Sequence, residues 1–107
     1  MANTFKNVLY NVTDTLATFY TAPASAGAVS IVIGCQAANK TGGVVALDLI
    51  ASDGSNPQFL LNDLSLPAGA SANCIAGKLV LEAGDVLRAQ TGVTGDVAIV
   101  LSVLEIT

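Results

Sequence analysis

Short runs rich in Val, Ile, Leu and Thr alternate along the chain with clusters of Gly, Pro, Asn, Asp and Ser. The clusters are "TAPASAG" at 21–27, "NKTGG" at 39–43, "SDGSNP" at 52–57, "LPAGAS" at 66–71, "EAGD" at 82–85 and "TGVTGD" at 91–96. Gly supplies positive φ, Pro presets a turn, and Asn, Asp and Ser bond their own backbone, so each cluster predicts a reversal of the chain. No run keeps a helical period of 3.6. The intervening runs predict strands at 4–10, 14–21, 29–38, 44–52, 58–66, 71–75, 78–81, 85–90 and 96–106, the first of them weak. Punctuation this even predicts an all-β fold, an antiparallel β-sandwich of jelly-roll type with about eight strands in one domain spanning 1–107. Residues 1–7, "MANTFKN", are polar and loosely patterned and read as a flexible N-terminal arm.

Two strands stand out by their rows. In 29–38, Val29, Ile31, Ile33, Cys35 and Ala37 form one apolar row, with Ser30, Gly34 and Gln36 opposite. In 96–106, Val97, Ile99, Leu101 and Val103 form one row, while Ala98, Val100, Leu104 and Ile106 fill most of the other. An antiparallel strand with one solvated face alternates apolar with polar. A last strand that is apolar on both sides needs a second cover besides the core. A loop of the same chain, a helix or a neighbouring subunit could supply it. No helix is predicted, and the subunit is favoured over the loop, which makes Ala98, Val100, Leu104 and Ile106 the expected interface, with the two rows free to exchange roles. The expected consequence is self-association.

Composition sharpens this picture. The 107 residues are 52% hydrophobic and 11% charged, against about 25% charged in ordinary globular proteins. So few charges leave part of the apolar excess to be buried against other chains. The net charge is −4, with four cations, Lys6, Lys40, Lys78 and Arg88, scattered along the chain. Neither a nucleic-acid partner nor an anionic membrane surface is expected from that distribution. No apolar run reaches the roughly 20 residues of a membrane-spanning helix, and "MANTFKNVLYN" has no signal-peptide core. The expectation is a soluble chain made in the cytosol.

Candidate chemistry is sparse. The chain has no His, so Ser-His-Asp and Cys-His nucleophile systems are excluded. Neither Gly-rich phosphate-loop pattern occurs. The acids Asp14, Asp48, Asp53, Asp63, Glu82, Asp85, Asp96 and Glu105 fall mostly at turns, where carboxylates bend or cap backbone. "SDGSN" spaces oxygen ligands somewhat as a calcium loop does but lacks the full pattern and its terminal bidentate Glu. Two Cys, Cys35 and Cys74, without His do not suggest zinc. They read as small buried side chains in a reduced chain, and their pairing is left open. The five aromatics, Phe5, Tyr10, Phe19, Tyr20 and Phe59, are too few for a stacking platform. The expectation is a protein without catalytic, cofactor or metal residues. A carbohydrate- or receptor-binding module would have to use the "SDGSNPQF" loop, with Phe59 its one aromatic.

The segments "FYTAPASAGAVSIVIGCQAANKTGG" and "LPAGAS", followed by "GKLVLEAGDVLRAQTG" and "GDVAIVLSVLEI", resemble small β-sandwich virion proteins of tailed bacteriophages, notably those of cyanobacteria and marine bacteria. The matching features are "YTAP" at Tyr20–Pro23, the turn at Asn39–Gly42, "PAG" at Pro67–Gly69, "KLVLEAGD" at Lys78–Asp85 and the apolar last strand, together spanning about residues 8–107. These are turns and strands, so no binding residue carries over. The resemblance implies a virion structural protein made in the host cytoplasm. Its leading form is a capsid decoration or cement protein, a homo-oligomer such as a trimer bound to the major capsid protein. A head–tail connector, neck, tail or fibre component is the alternative.

Overall fold

The structure, a computed structural model, describes residues 3–75, 77–92 and 97–107. The described residues form nine strands and no helix. They are β1 (Asn3–Val12), β2 (Ala17–Thr21), β3 (Val29–Asn39), β4 (Val45–Ser52), β5 (Pro57–Leu66), β6 (Ser71–Asn73), β7 (Leu79–Glu82), β8 (Val86–Thr91) and β9 (Val97–Ile106). The turn expected at 91–96 lies outside the described residues from 93 onward.

The strands make two antiparallel sheets packed as a sandwich. One has the order β1-β9-β3-β6, with β7 also paired to β3; the other has the order β2-β8-β4-β5. β6 and β7 lie on the same side of β3, β6 against Gln36–Ala38 and β7 against Val29–Val32. Together they act as one interrupted edge strand. Counted that way, the first strand pairs the last, the second pairs the second-last, and so on inward to β4 with β5. That nesting is the jelly-roll wrapping of one long hairpin, as the sequence predicts.

β9 sits inside its sheet, laddered to β1 over its whole length and to β3 on the other side. Its Val97, Ile99, Leu101 and Val103 are fully buried and meet Leu47 and Leu49 of β4 and Leu87 of β8 in the core. Residues 3–7, expected as a flexible arm, are instead paired in register with Ser102–Ile106. A strand that completes the edge of a sheet gains backbone hydrogen bonds that a free arm lacks.

Two rows depart from the simple alternation. The register of β3 against β9 shifts between Val32 and Gly34. The extra residue, Ile33, is exposed, and the strand changes face there. Ser30 and Val32 point to the core before the bulge, and Cys35, Ala37 and Asn39 after it. The predicted row Val29-Ile31-Ile33-Cys35-Ala37 is therefore split: its first three members face outward and its last two inward. β2 shows a similar shift between Thr18 and Tyr20, which lets the neighbours Phe19 and Tyr20 both be buried. Tyr10 stacks on Phe19 at 5.6 Å between ring centroids, carrying β1 onto β2.

The turns are held by a buried polar residue. Asn39, at the end of β3, is 2% exposed. Its Nδ2 donates to the carbonyls of Gly43 (2.8 Å), Leu66 (2.9 Å) and Pro67 (3.2 Å). Its Oδ1 accepts from the Thr41 N–H (2.9 Å) and hydroxyl (2.7 Å). One amide thus joins the β3–β4 turn to the corner where β5 leaves for β6. Asn39→Asp would turn a donor into a carboxylate facing three carbonyls. Leaving buried partners unsatisfied costs about 1–3 kcal/mol each, so urea denaturation is expected to show a loss of about 3 kcal/mol or more.

Candidate association surface

β1 and β9 pair with outward residues in step. Asn3, Phe5, Asn7, Leu9 and Asn11 lie opposite Ile106, Leu104, Ser102, Val100 and Ala98. On the other side of β9, Ile106, Leu104, Ser102, Val100 and Ala98 lie opposite Val29, Ile31, Gly34, Gln36 and Ala38. β7 continues two of these rows with Glu82 and Val80, and β6 continues two with Asn73 and Ser71. Three transverse rows follow. Phe5-Leu104-Ile31-Val80 is apolar across four strands. Asn3-Ile106-Val29-Glu82 lies on one side of it. Leu9-Val100-Gln36-Asn73 lies beyond a low strip made by Asn7, Ser102 and Gly34.

The apolar side chains on this face are open to solvent. Phe5 is 73% exposed, Leu9 71%, Val80 59%, Ile33 46% and Val100 45%. They are five of the eight large hydrophobic residues exposed among the described residues. Among the paired outward positions of this sheet, Glu82 carries the one formal charge. A water-facing sheet normally alternates polar with apolar. The opposite sheet does so more nearly: its outer face carries Asp48 and Arg88, and Arg88 Nε bonds Thr18 Oγ1 across strands at 3.2 Å. The chain therefore has one solvated face and one apolar, nearly uncharged face.

The relief of the apolar face is ridged. Gly34 leaves open space where a Cβ would stand. Asn7 and Ser102, beside it in the sheet, line a shallow groove next to Phe5 and Ile33. A second shallow groove runs between Leu9 and Val100. Ridges of large side chains alternating with such grooves are the shape that interdigitates with another sheet or segment.

All four residues expected from the sequence, Ala98, Val100, Leu104 and Ile106, lie on this face, on its inner strand β9. Val100 is exposed; Ala98, Leu104 and Ile106 are half-buried among their neighbours. The sequence reading missed Phe5, Leu9, Ile31, Ile33 and Val80. Phe5 and Leu9 were legible, because Asn3, Phe5, Asn7, Leu9 and Asn11 keep a strict two-residue period. In the sequence Ile31 and Ile33 fall in one apolar row with Cys35 and Ala37, because the bulge in β3 leaves no mark in the pattern.

Beneath one end of the face lies a polar cluster. Tyr20 Oη pairs with Ser30 Oγ at 2.9 Å and donates to Glu105 Oε2 at 2.7 Å. Lys6 Nζ approaches the same carboxylate oxygen at 3.6 Å. Ser30 is fully buried, so this bond satisfies a hydroxyl that the core would otherwise strand. Burial and the Glu105 carboxylate push the Tyr20 phenol up to about 12, against the opposing bond from Ser30.

The remaining acids mostly serve turns. Asp53 Oδ1 accepts the N–H groups of Ser55 (2.9 Å) and Asn56 (2.7 Å). Those bonds hold its carboxyl below the usual range. Asp85 Oδ2 accepts the Glu82 N–H at 2.9 Å across the β7–β8 turn. Asp48 Oδ1 accepts the N–H of Asp63 at 2.7 Å, and Asp63 stands in the left-handed region at φ 53° where β5 is irregular. In the "SDGSNPQF" loop, Asp53 is thus engaged by its own backbone. Phe59 sits on the outer face of the other sheet, opposite Ile50.

No family model matches the chain, and no curated protein matches it in sequence. Solved structures do match its shape. A chain of the disulfide-linked pili that form Bacillus endospore appendages superposes with a TM-score of 0.61 at 13% identity, covering 99% of this chain and 87% of that one. A chain of infectious bursal disease virus, Gx strain, gives 0.52 at 14% identity; 99% of this chain matches 33% of that one. A pentameric capsid protein from metagenomic phage sequences gives 0.46 at 18% identity over 91% of this chain and 59% of that one. At these identities the likeness is one of fold. The β-sandwich recurs in subunits of a pilus and of virus particles.

The Tyr20 shift sets a pH dependence. Below pH 10 the phenol is protonated in both folded and unfolded chains and its contribution is constant. Between pH 10 and about 12 the unfolded chain releases the proton while the folded chain holds it, so stability falls as pH rises. Urea midpoints between pH 9 and 11.5 are expected to fall more steeply in the parent than in Tyr20→Phe. Equal slopes would remove the buried phenol as the cause.

Proposed function

We propose that the chain is a structural virion protein that acts by association, in the specific form of a phage capsid decoration or cement protein. The observation that carries this reading is the apolar face of the β1-β9-β3 sheet. Its occupant is a second copy of the chain in a cyclic homo-oligomer such as a trimer, which docks on the major capsid protein of the head. The molecule measures 45 × 26 × 19 Å, so a broad face offers more than the roughly 800 Å² per partner of a standard stable interface. Obligate homo-oligomer interfaces are also the more hydrophobic class.

The energetics favour a lattice setting. Phe5, Leu9, Ile33, Val80 and Val100 are 45–73% exposed, so burying the rest of each stabilises by about 1–2 kcal/mol, a fraction of the full-burial value. Association costs an estimated 4–15 kcal/mol in lost freedom of motion. One such face gives a modest pairwise affinity, and many copies held on one particle add by avidity. No catalytic step belongs to this reading, and Asp48, Asp53, Asp85 and Glu105 serve the fold. The jelly-roll fold supports the reading because it recurs in chains of virus particles and pili. Position on the virion is the finer part of the proposal, and copy number separates a head protein from a connector, neck, tail or fibre component.

Two measurements test it. Sedimentation velocity of the purified chain is expected to show an oligomer that Val100→Lys and Leu104→Lys reduce to monomer while circular dichroism keeps the sheet spectrum. Variants that assemble like the parent would remove the face as the interface. Quantitative mass spectrometry of particles of the encoding phage is expected to give a simple lattice fraction of the major capsid protein. About a dozen copies or fewer would match a ring at the neck or tail instead, and absence from the particle would sink the virion reading.

A further inference from the structure

Cys35 and Cys74 face one another across a strand pair. β3 and β6 pair Gln36 with Asn73, Ala37 with Ala72 and Ala38 with Ser71. One step further in the same register sets Cys35 opposite Cys74, and the Cys74 N–H donates to the Cys35 carbonyl at 2.8 Å. Both thiols are free and both are buried in the core cluster. Directly opposed, hydrogen-bonded residues of an antiparallel pair have Cα atoms about 5.5 Å apart, within the roughly 4.4–6.8 Å that a disulfide spans. Contact with Cys74 and burial push the Cys35 thiol up, and contact with Cys35 draws the Cys74 thiol down.

We infer that Cys35 and Cys74 are a built-in disulfide site, an intramolecular staple between β3 and the end of β6 that closes when the chain meets a small-molecule disulfide. The location gives the staple a purpose. β6 is three residues long and is held to the sheet by that short ladder. The chain resumes as β7 at Leu79, on the same side of β3. The bond would close a loop of about 40 residues that contains all of β4 and β5, and it ties the interrupted edge of the sheet to its inner neighbour β3. Both thiols are covered, so the bond is intramolecular and forms when the short strand β6 lifts from β3 and uncovers Cys74. The Cys74 thiol then gives up its proton and attacks the reagent, forming a mixed disulfide and expelling one thiolate. Cys35 gives up its proton and attacks Cys74 sulfur, expelling the second thiolate. Two protein thiols become one disulfide, and one reagent disulfide becomes two thiols. The staple is independent of the virion reading, because it concerns the isolated chain.

The test uses the full chain, purified under reducing conditions and then incubated with oxidised glutathione. Intact mass is expected to fall by about 2 Da, the two hydrogens lost on oxidation. Iodoacetamide in denaturant is expected to label two sites before oxidation and none after. The melting temperature is expected to rise by about 5–15 °C, and Cys35→Ala and Cys74→Ala to show no rise under the same treatment. The inference is overturned by persistent glutathione adducts on the parent, by disulfide-linked dimers, or by two thiols still free after incubation in mild denaturant that frees β6. A closed bond with no change in melting temperature overturns the staple.

Discussion

The rest of the structure depends on β9 being an inner strand with apolar side chains on both faces. Its inward row packs on β4 and β8 and closes the sandwich. Its outward row cannot be covered by the same core, because the sheet lies between. An inner strand also has neighbours on both sides, so its outward row is extended by whatever β1 and β3 place beside it. They place Phe5 and Ile31 beside Leu104, and Leu9 beside Val100. A local excess of hydrophobicity in one strand thereby becomes a property of a whole face.

Apolar rows fix which side of a strand is inside, but they fix register poorly, since a slip of two residues keeps every side chain on its face. Buried polar groups supply what the rows do not. Asn39 bonds the carbonyls of Gly43, Leu66 and Pro67 only with β3, its turn and the end of β5 in one relative position. Tyr20 reaches Ser30 and Glu105 only if β2 of one sheet lies over β3 and β9 of the other. These two clusters lie at different places in the sandwich and together pin how the sheets are stacked.

This division explains how much could be read in advance. Turn clusters and short branched runs place the strands, because those signals are local. The two rows of β9 were legible for the same reason, and with them Ala98, Val100, Leu104 and Ile106 as outward or inward as a set. The face as a whole was not legible, since it depends on which strands flank β9. The bulge at Ile33 hid a further part by moving Val29 and Ile31 to the outside without breaking the apolar pattern. Asn39 read as an ordinary turn residue, because its partners Leu66 and Pro67 are distant in sequence.

The edges of the sandwich bear on how it associates. An unpaired edge strand invites another chain to add to the sheet. Here β2 is short and bulged, β5 is irregular with Asp63 in a left-handed conformation, and the edge made by β6 and β7 is interrupted. β1 is the one long regular edge, and it carries Lys6 on its inward side, tethered near Glu105. A charge in that place disfavours an added strand, which would bury it. Three interrupted edges and one charged one leave strand addition poorly supported. The face that carries the Phe5-Leu104-Ile31-Val80 row and a single formal charge among its paired positions is the remaining surface with enough area. The proposed association through it would leave every backbone ladder intact, so copies would join and part without remodelling the fold.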